Sequence, residues 1–398
     1  MPITVSPPDV SPLAQLLPDE PLLLMGAGPV PIPHAVAQAN SVVINHLGPT
    51  MQAVIEGLKE LGGYAFQTRS GKIIGVAGSA SAAMEMAVSN LAWPGRSVLA
   101  LVSGTFSARL GEMATGVGAE VTTVCSPLAT PITAAMAQAA LAGGRFDVVT
   151  IVQGETSCGV LNAELPQIAA LVKAHGALLI VDAVCTLTTM PLRMDEWGID
   201  VVVTGGQKGL SSIPGVSLIA FSDAAWQTVV ARPRPMPHWC LDAQRAWRFW
   251  GDHQYHYTAP VPGILALYQA LRLISTETLQ RRFERHATCT AALQAGIEAM
   301  GLQLFVPPEF RLPSVVAVVA PPGLDSDEVR RQMADRHGVE IAGAFGLPII
   351  RIGQMGEQCR SHHLFHVLSA LGESCRRLGL PLDVSGGMAA LEAELCAR

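Results

Sequence analysis

Two residues of opposite charge follow neighbouring apolar segments in the middle of the chain. Asp182 lies near the end of HGALLIVDAV, and Lys208 lies beside glycine in TGGQKGL, which follows the next apolar run. Because the carboxyl ends of parallel strands share one edge of a sheet, we expect the two side chains to lie close together. The pair suits pyridoxal phosphate, since a lysine can form a Schiff base with it and a carboxylate can keep its pyridine nitrogen protonated. A solvated loop lysine is the alternative, which the strand and the glycines disfavour.

A small polar turn could bind the phosphate of such a cofactor. Ser79, Ala80 and Ser81 stand between a predicted strand and a predicted helix, where free N–H groups and the helix dipole attract an anion. An ordinary N-cap serine is the other explanation. Gln207, next to the lysine, is a further candidate for the phosphate, unless it faces solvent.

Other side chains near strand ends could contact the ring or the substrate. Val184 lies two residues after Asp182, so in an extended chain it points to the same side and could pack on the ring. Phe106 could stack on the ring or belong to the core, and Ser157 could bond the ring oxygen or the phosphate. Arg351 could hold a substrate α-carboxylate through two hydrogen bonds, or form an interface salt bridge.

The composition predicts an enzyme with more than one domain. The chain has 398 residues, 49% of them hydrophobic and 15% charged, with a net charge of −6. This length suggests two domains, and this balance suggests extensive burial that includes a subunit interface. The net charge and the lack of basic runs argue against nucleic acid as a partner, and no apolar stretch is long enough to span a membrane. The proline-rich start lacks a signal sequence and is predicted to be an arm across a partner subunit.

The cysteines and histidines do not suggest a metal. The eight cysteines are scattered without a CxxC pair, which favours reduced thiols in a cytoplasmic protein. His362 and His363 are adjacent in sequence and diverge on a helix, so we predict no metal site there.

The apolar periodicity predicts alternating strands and helices up to about residue 260. Such alternation is typical of an α/β fold with a mostly parallel sheet covered by helices on both faces. Beyond that point the pattern predicts a smaller α+β domain, with a helix over Ile264 to Arg285, another from near His286, and strands near Ser314 and Ile349. The helix in DSDEVRRQMADRHG has capping residues at its start and glycine at its end.

Several segments together resemble one enzyme family. GAGPVPIP, GSASAAMEMA, QGETSCGVL, HGALLIVDAV, TGGQKGL, YHYTAPVPGILALYQAL and RIGQMG occur in the order and spacing of the class V pyridoxal phosphate aminotransferases, over about Leu22 to Leu378. The chain looks most similar to the alanine–glyoxylate and serine–pyruvate branch, with the ureidoglycine–glyoxylate and pyridoxamine–pyruvate enzymes as near relatives. The resemblance implies the fold type I architecture. It also implies a homodimer with shared active sites, an arm over 1–21, a large cofactor-binding domain over 22–280 and a small domain over 281–398.

The resemblance also implies a role for each matching residue. Lys208 would carry the cofactor, Asp182 would pair with its pyridine nitrogen, Val184 and Phe106 would enclose the ring, and Ser157 would lie near its phenolic oxygen. The phosphate would be held by Ser79, Ala80, Ser81 and Gln207, and by Tyr255 and Thr258 of the other subunit. Arg351 would bind the substrate carboxylate, with Gly28, Asn45 and His46 also facing the substrate. The loop AGAFGLPIIRIG is shorter than the family's loop before the substrate-binding arginine. The segment VVINHLGPTM differs from the family's usual segment at the entry of the active site.

We therefore expect a ping-pong transfer of an amino group from an alanine- or serine-type L-amino acid to glyoxylate or pyruvate. Two alternatives remain. A lyase of the cysteine desulfurase type would need a nucleophilic cysteine, for which Cys359 is the candidate, although the histidine–cysteine pairing of those enzymes is missing. A non-catalytic pyridoxal phosphate-binding protein is disfavoured by the joint presence of Lys208, Asp182 and Arg351.

Overall fold

A seven-stranded sheet forms the centre of the larger part of the molecule. The computed structural model describes residues 6–321 and 323–397. The strands are β1 (Leu23–Leu24), β2 (Lys72–Ala77), β3 (Ser97–Val102), β4 (Glu120–Cys125), β5 (Val148–Val152), β6 (Gly154–Glu155), β7 (Val160–Leu161), β8 (Leu178–Asp182), β9 (Val201–Gly205), β10 (Val216–Phe221), β11 (Val315–Val319), β12 (Val339–Glu340) and β13 (Ile349–Gly353). The central sheet has the order β2-β10-β9-β8-β5-β3-β4.

This sheet is parallel except for one strand. The pairs from β9 through β8, β5 and β3 to β4 are all parallel, whereas β10 runs antiparallel to both β2 and β9. Every residue of β5, β9 and β10 is buried. Because successive strand residues face opposite sides, such burial requires cover on both faces of the sheet. The predicted α/β architecture is confirmed.

Helices connect and cover the strands. They are α1 (Leu13–Leu16), α2 (His34–Asn40), α3 (Pro49–Phe66), α4 (Ala80–Leu91), α5 (Thr105–Gly116), α6 (Ala134–Ala142), α7 (Leu165–His175), α8 (Met194–Trp197), α9 (Asp223–Val230), α10 (Ala243–Trp250), α11 (Val261–Glu277), α12 (Leu279–Ala299), α13 (Ser326–His337), α14 (Ser361–Arg377) and α15 (Val384–Cys396). In the described ranges, no helix is long and apolar enough to cross a membrane.

A second hydrophobic core joins the C-terminal helices to two short strand pairs. Strand β11 pairs antiparallel with β13, and the residues of α12, α13 and α14 pack beside them. Strand β1 pairs in parallel with β12, and Met25 is fully buried in the same core. The chain that follows the predicted arm therefore packs first against the C-terminal part and only then enters the central sheet. The predicted boundaries at 21 and 280 stay predictions, and residues 322 and 398 of the predicted small domain lie outside the described residues.

The break between the two long helices lies earlier than the sequence analysis predicts. Helix α11 ends at Glu277, and Thr278 has a φ of 70°, a left-handed backbone conformation that stops the helix. Its hydroxyl then accepts a hydrogen bond from the N–H of Arg281, which caps α12. The predicted break near His286 is wrong, because apolar residues continue with helical spacing on both sides of the true one and hide the cap.

The described part of the predicted arm, residues 6–21, lies on the surface. Helix α1 has no buried residue, and Val10, Leu13, Leu16 and Leu17 are all exposed. Residues 1–5 of the arm lie outside the described residues.

Candidate active site

A cavity of about 180 Å³ lies past the carboxyl ends of β8 and β9. Its walls come from the starts of α4 and α5, from the segment after β5, and from the turns after β8 and β9. The lining residues are Ser79, Ala80, Ser81, Met84, Phe106, Arg109, Gly154, Thr156, Asp182, Val184, Cys185, Gln207 and Lys208. The sheet thus brings the predicted lysine and carboxylate to one site, as the parallel arrangement requires.

The amine of Lys208 is held against the chain that follows β1. Its Nζ donates a hydrogen bond to the carbonyl of Ala27. Burial lowers the pKa of Lys208, and the positive charge of Arg351 adds to this effect, while Asp182 opposes it. Gly28 has a φ of +102°, and a Cβ there would lie 2.7 Å from Cδ of Lys208. Only glycine therefore fits beside the lysine, and the structure places Gly28 against Lys208 itself.

Asp182 is a buried carboxylate without a cationic partner in the described chain. It is 7% exposed, and its Oδ1 accepts a hydrogen bond from the N–H of Val184 at 2.8 Å. Burial raises the pKa of Asp182 to about 7, while the Val184 hydrogen bond and the charge of Lys208 work against the rise. A positive group inside the cavity, such as a protonated pyridine nitrogen, would stabilise the ionised form of this carboxylate.

The start of α4 keeps its donors free for an anion. Ser79 is the N-cap residue, yet its hydroxyl forms no capping bond with the first turn. The explanation of Ser79 as an ordinary N-cap therefore fails, and its hydroxyl and the first N–H groups of α4 are available. Gln207 also lines the cavity, and the NH2 group of its side-chain amide can donate to an anion. With Ala80 and Ser81 lining the same cavity, the hydroxyls, the helix N–H groups and this amide form a set of donors that fits a phosphate.

Phe106 and Val184 line the cavity, as expected for residues that enclose a ring. Phe106 is positioned through the backbone at the start of α5. Its N–H donates to Oε1 of Glu155 at 3.2 Å, and the N–H of Ser107 donates to Oε2 at 2.9 Å. Glu155 is fully buried, so this carboxylate fixes the helix start and with it the direction of the Phe106 ring.

Ser157 differs from its predicted place. Its hydroxyl donates to Oε1 of Glu155 at 2.6 Å and accepts from the N–H of Thr105 at 3.1 Å. It is 3% exposed and does not line the cavity, whereas Thr156 does. In the turn that follows β6, Thr156 therefore contributes to the cavity wall, and Ser157 serves the Glu155 cluster instead.

Arg351 lies beside Thr156, one of the residues that line this cavity. Nε donates to the carbonyl of Gly343 at 2.7 Å, and Nη1 donates to the carbonyl of Thr156 at 2.6 Å. It is 6% exposed, and burial lowers its pKa, with Glu155 opposing that shift. Within 6–321 and 323–397, no carboxylate forms an ion pair with it and Nη2 has no hydrogen-bond partner. This cation is thus directed toward a ligand rather than used in a salt bridge.

Four predicted residues lie away from the cavity of their own chain. The rings of His46 and Tyr255 are 5.9 Å apart, and Tyr255 is 60% exposed. Thr258 is exposed, and Oδ1 of Asn45 accepts a hydrogen bond from the N–H of Leu47. For Tyr255 and Thr258, exposure agrees with their predicted use by a second subunit. The structure does not place Asn45 and His46 in the walls of this chain's cavity: both precede α3, Asn45 is exposed, and His46 is half-buried beside Tyr255.

Comparison with known proteins decides the family. The sequence profile described as "Aminotransferase class-V" matches residues 33–365. The alanine–glyoxylate aminotransferase of Felis catus is 32% identical over 94% of this chain and 92% of its own length. The chain belongs to the class V aminotransferases. The predicted family is confirmed, and with it the prediction of an aminotransferase.

Solved structures of class V aminotransferases share the whole architecture. The ureidoglycine–glyoxylate aminotransferase of Bacillus subtilis superposes with a TM-score of 0.91 at 30% identity, over 95% of this chain and 99% of that one. The pyridoxamine–pyruvate aminotransferase of Mesorhizobium loti also gives 0.91, at 28% identity, over 96% and 99%. The predicted fold type I architecture is confirmed.

The lyase alternative is not favoured for this class V aminotransferase. A cysteine desulfurase from Thermococcus onnurineus is 14% identical, which shows a shared fold alone. Cys359 is fully buried, its Sγ lies 3.3 Å from Oε1 of Gln354, and its carbonyl accepts a hydrogen bond from Arg285. Burial also raises the pKa of Cys359 well above its usual value. A fixed, neutral thiol cannot act as a mobile nucleophile.

The sequence analysis missed five cavity residues of this class V aminotransferase, which are Met84, Arg109, Gly154, Thr156 and Cys185. Thr156 and Arg109 carry the polar groups that matter most, and Cζ of Arg109 lies 4.7 Å from the centroid of the Phe106 ring. Arg109 follows Phe106 by three residues on α5, and this spacing puts both on one helix face. That spacing was the available signal. Thr156 could not be chosen over Ser157 without the hydrogen bonds of Glu155.

Proposed function

We propose that this class V aminotransferase carries pyridoxal phosphate on Lys208 and transfers the amino group of L-alanine or L-serine to glyoxylate or pyruvate. The observation that carries the proposal is the cavity itself, where a buried amine, a buried carboxylate without a cation and a free anion-binding helix start converge. The substrate class is supported by the similarity to alanine–glyoxylate aminotransferase, whose name gives a small amino acid and a small oxo acid, and pyridoxamine–pyruvate aminotransferase supports pyruvate as an acceptor.

Each residue has one task in the proposed reaction. Pyridoxal phosphate would supply an electron sink for the negative charge that develops on the substrate Cα. Arg351 binds the α-carboxylate through its free Nη2. Asp182 would balance a positive charge on the ring nitrogen. Burial lowers the pKa of Lys208, which favours its role as the base that would take up the Cα proton and return it.

The arrangement of donors supports how the cofactor would be held. Ser79, Ser81, the first N–H groups of α4 and Gln207 would bind the phosphate, and Thr156 would face the ring oxygen. Phe106 and Val184 would enclose the ring. Amino donor and oxo acceptor would use Arg351 in turn, because both carry the same carboxylate, and this predicts ping-pong kinetics.

We further propose a homodimer with shared active sites. Tyr255 and Thr258 are exposed and leave the cavity of their own chain, so they are free to reach the phosphate in a second copy. The exposed leucines of the arm form an apolar surface that suits an interface. We also propose a cytoplasmic location, supported by eight cysteines that form no disulfide.

An absorbance experiment tests the proposed reaction. The purified protein is titrated with pyridoxal phosphate and then with L-alanine, L-serine or L-cysteine, followed by glyoxylate or pyruvate. We expect a visible absorption band that disappears with the amino acid and returns with the oxo acid. Lys208→Ala should remove both the band and turnover. Turnover by Lys208→Ala would contradict the assignment, and sulfide release from L-cysteine would favour the lyase instead.

A further inference from the structure

A half-exposed phenylalanine, Phe345, contacts both of the side chains that would position the cofactor ring and the substrate carboxylate. The ring of Phe345 meets the Phe106 ring edge-on, with 5.8 Å between centroids. Cζ of Arg351 lies 5.4 Å from the centroid of the same Phe345 ring. Phe345 is nevertheless 54% exposed, so much of its surface lacks a protein neighbour.

The backbone around Phe345 is tied to Arg351. The two residues Ala342 and Arg351 exchange both backbone hydrogen bonds, at 3.1 and 2.7 Å. The side chain of Arg351 also bonds the carbonyl of Gly343, and the loop then turns at Gly346, whose φ is +73°. The Phe345 ring is therefore held in a fixed relation to the guanidinium, and a shift of one disturbs the other.

We propose that Phe345 limits the side chain of the amino donor to one or two carbons. This inference rests on the proposed function. A donor whose carboxylate binds Arg351 and whose Cα reaches the ring enclosed by Phe106 must pass beside Phe345, because this ring contacts both residues. A methyl or hydroxymethyl group packs on the exposed face of Phe345, whereas a longer chain displaces the ring together with the loop that holds Arg351.

The chemistry of the ring also selects against acidic donors. Phe345 offers no hydrogen bond to a second carboxylate, which would lose hydration without gaining a partner. The guanidinium of Arg109 is the one feature that argues otherwise, since it lies beside Phe106 and forms no ion pair among the described residues. If Arg109 bound a distal carboxylate, L-glutamate would be a good donor, which makes L-glutamate an informative substrate.

The test uses three donors that differ by one methylene each, together with L-glutamate, whose side chain ends in a carboxylate. With glyoxylate as acceptor, kcat and KM are measured for L-alanine, L-2-aminobutyrate, L-norvaline and L-glutamate, using wild type, Phe345→Ala and Phe345→Leu. We expect kcat/KM of the wild type to fall along the series. One misfitting methylene is worth about 10-fold or more in specificity, so Phe345→Ala should raise the norvaline-to-alanine ratio by at least about 10-fold, chiefly through KM. The norvaline-to-alanine ratio of Phe345→Leu should fall between the ratios of the wild type and Phe345→Ala.

Two controls separate specificity from loss of structure. Leu128→Ala removes another exposed apolar side chain, 64% exposed, from a loop outside the cavity and should leave the ratio unchanged. The visible absorption of bound pyridoxal phosphate per subunit should be the same in all variants. If Phe345→Ala fails to fold or to load the cofactor, Phe345→Leu decides the question.

The outcomes distinguish this inference from the function on which it rests. An active wild type whose norvaline-to-alanine ratio is unchanged in both Phe345 variants would overturn the role of Phe345 alone. L-Glutamate as the best donor of the wild type would also overturn it. A wild type that loads the cofactor but transfers no amino group between any of these pairs would remove the proposed function, and this inference with it.

Discussion

At the scale of single residues, the site depends on charges that the protein buries without pairing them. Arg351 donates from Nε to the carbonyl of Gly343 and from Nη1 to the carbonyl of Thr156, and its Nη2 has no hydrogen-bond partner among the described residues. Asp182 accepts one backbone hydrogen bond and has no cationic partner among the described residues. Such groups cost stability in the empty protein, and a ligand of opposite charge recovers the loss. The unpaired charges of Arg351 and Asp182 therefore favour a ligand that places a group of opposite charge beside each of them.

Replacing Arg351 should affect substrate binding more than turnover. Arg351→Ala removes a charge-assisted pair with the α-carboxylate, and we expect KM for the amino acid and for the oxo acid to rise more than about 10-fold. Arg351→Lys should recover part of this loss, since it keeps the charge but not the paired geometry. Steady-state kinetics with both substrates varied measures the effect. Equal KM values in wild type and Arg351→Ala would exclude the role.

The burial of Asp182 predicts an unusual pH dependence for the cofactor-free protein. Its folded pKa is about 7, above the ordinary 3.8, so the folded chain holds a proton that the unfolded chain releases. Stability from this group is complete below about pH 4 and is lost as the pH rises toward 7. Asp182→Asn should remove this loss and make the cofactor-free protein more stable at pH 8, by on the order of a few kcal/mol.

The same substitution should weaken function. An amide cannot balance a protonated ring nitrogen, so we expect Asp182→Asn to lower kcat by at least about 100-fold while the visible absorption of bound cofactor shifts. Urea unfolding of the cofactor-free forms at pH 5 and pH 8, together with kcat at pH 8, measures both effects. A variant that is less stable than wild type at both pH values would contradict the account of Asp182.

At the scale of elements, α12 holds the loop that carries Lys208. Arg282, near the start of α12, donates from Nη2 to the carbonyl of Gly209 at 2.7 Å and from Nη1 to Glu277 at 2.8 Å. Arg285 donates to Glu277 and to the carbonyls of Gly356 and Cys359. One buried ion cluster thereby connects the end of α11, the turn after Lys208 and the loop after β13.

Breaking this cluster should destabilise the fold. Arg282 is 2% exposed, and Arg282→Ala removes one of the two donors to the Gly209 carbonyl, which keeps the Thr188 hydroxyl, and leaves Glu277 with Arg285 alone. We expect the free energy of unfolding to fall by about 3 kcal/mol, measured by urea denaturation, and the affinity for pyridoxal phosphate to fall with it. Arg331→Ala, which removes an exposed pair with Glu328 on α13, is the control and should leave the free energy of unfolding nearly unchanged, because solvent screens exposed pairs.

The cluster also predicts sensitivity to acid. Burial opposes the ionisation of Glu277, but the hydrogen bonds and charges of Arg285 and Arg282 outweigh it and hold its pKa at about 2, below the ordinary 4.5. This stabilisation is present above pH 4.5 and is lost as the pH falls toward 2. Glu277→Gln should therefore flatten the acid limb of the stability curve, and an unchanged limb would assign acid unfolding to other carboxylates.

At the scale of the whole molecule, the two predicted halves of the phosphate site lie apart in one chain. Ser79, Ser81 and Gln207 are in the cavity, whereas Tyr255 and Thr258 are on the surface. A symmetric dimer in which each surface pair enters the other cavity would complete both sites at once.

Mixing two inactive variants tests this arrangement. One variant is Lys208→Ala, and the other carries Tyr255→Ala together with Thr258→Ala. After the two are unfolded together and refolded, half of the dimers are mixed, and each mixed dimer has one intact site. We expect about a quarter of wild-type activity per subunit, a fraction that follows from the symmetry of a shared site. No recovery from well-folded mixed dimers would show that Tyr255 and Thr258 act within their own chain or not at all.

Local sequence determined the central sheet and the residues at its edge. Strands β2, β3 and β5 and helix α4 lie in the part of the chain where alternating strands and helices are predicted, because β-branched runs and helical periodicity are local properties. The positions of Lys208 and Asp182 follow from the same logic, since a residue at the carboxyl end of a parallel strand lies at the edge of the sheet where ligands bind.

Tertiary structure alone decided the contacts between distant segments. The choice of Thr156 over Ser157 depends on Glu155, and the place of Phe345 depends on Phe106 and Arg351. The contact between His46 and Tyr255 likewise joins segments that are far apart in the sequence. No periodicity encodes which of two adjacent side chains faces a cavity, because that is set by hydrogen bonds formed only when remote elements meet.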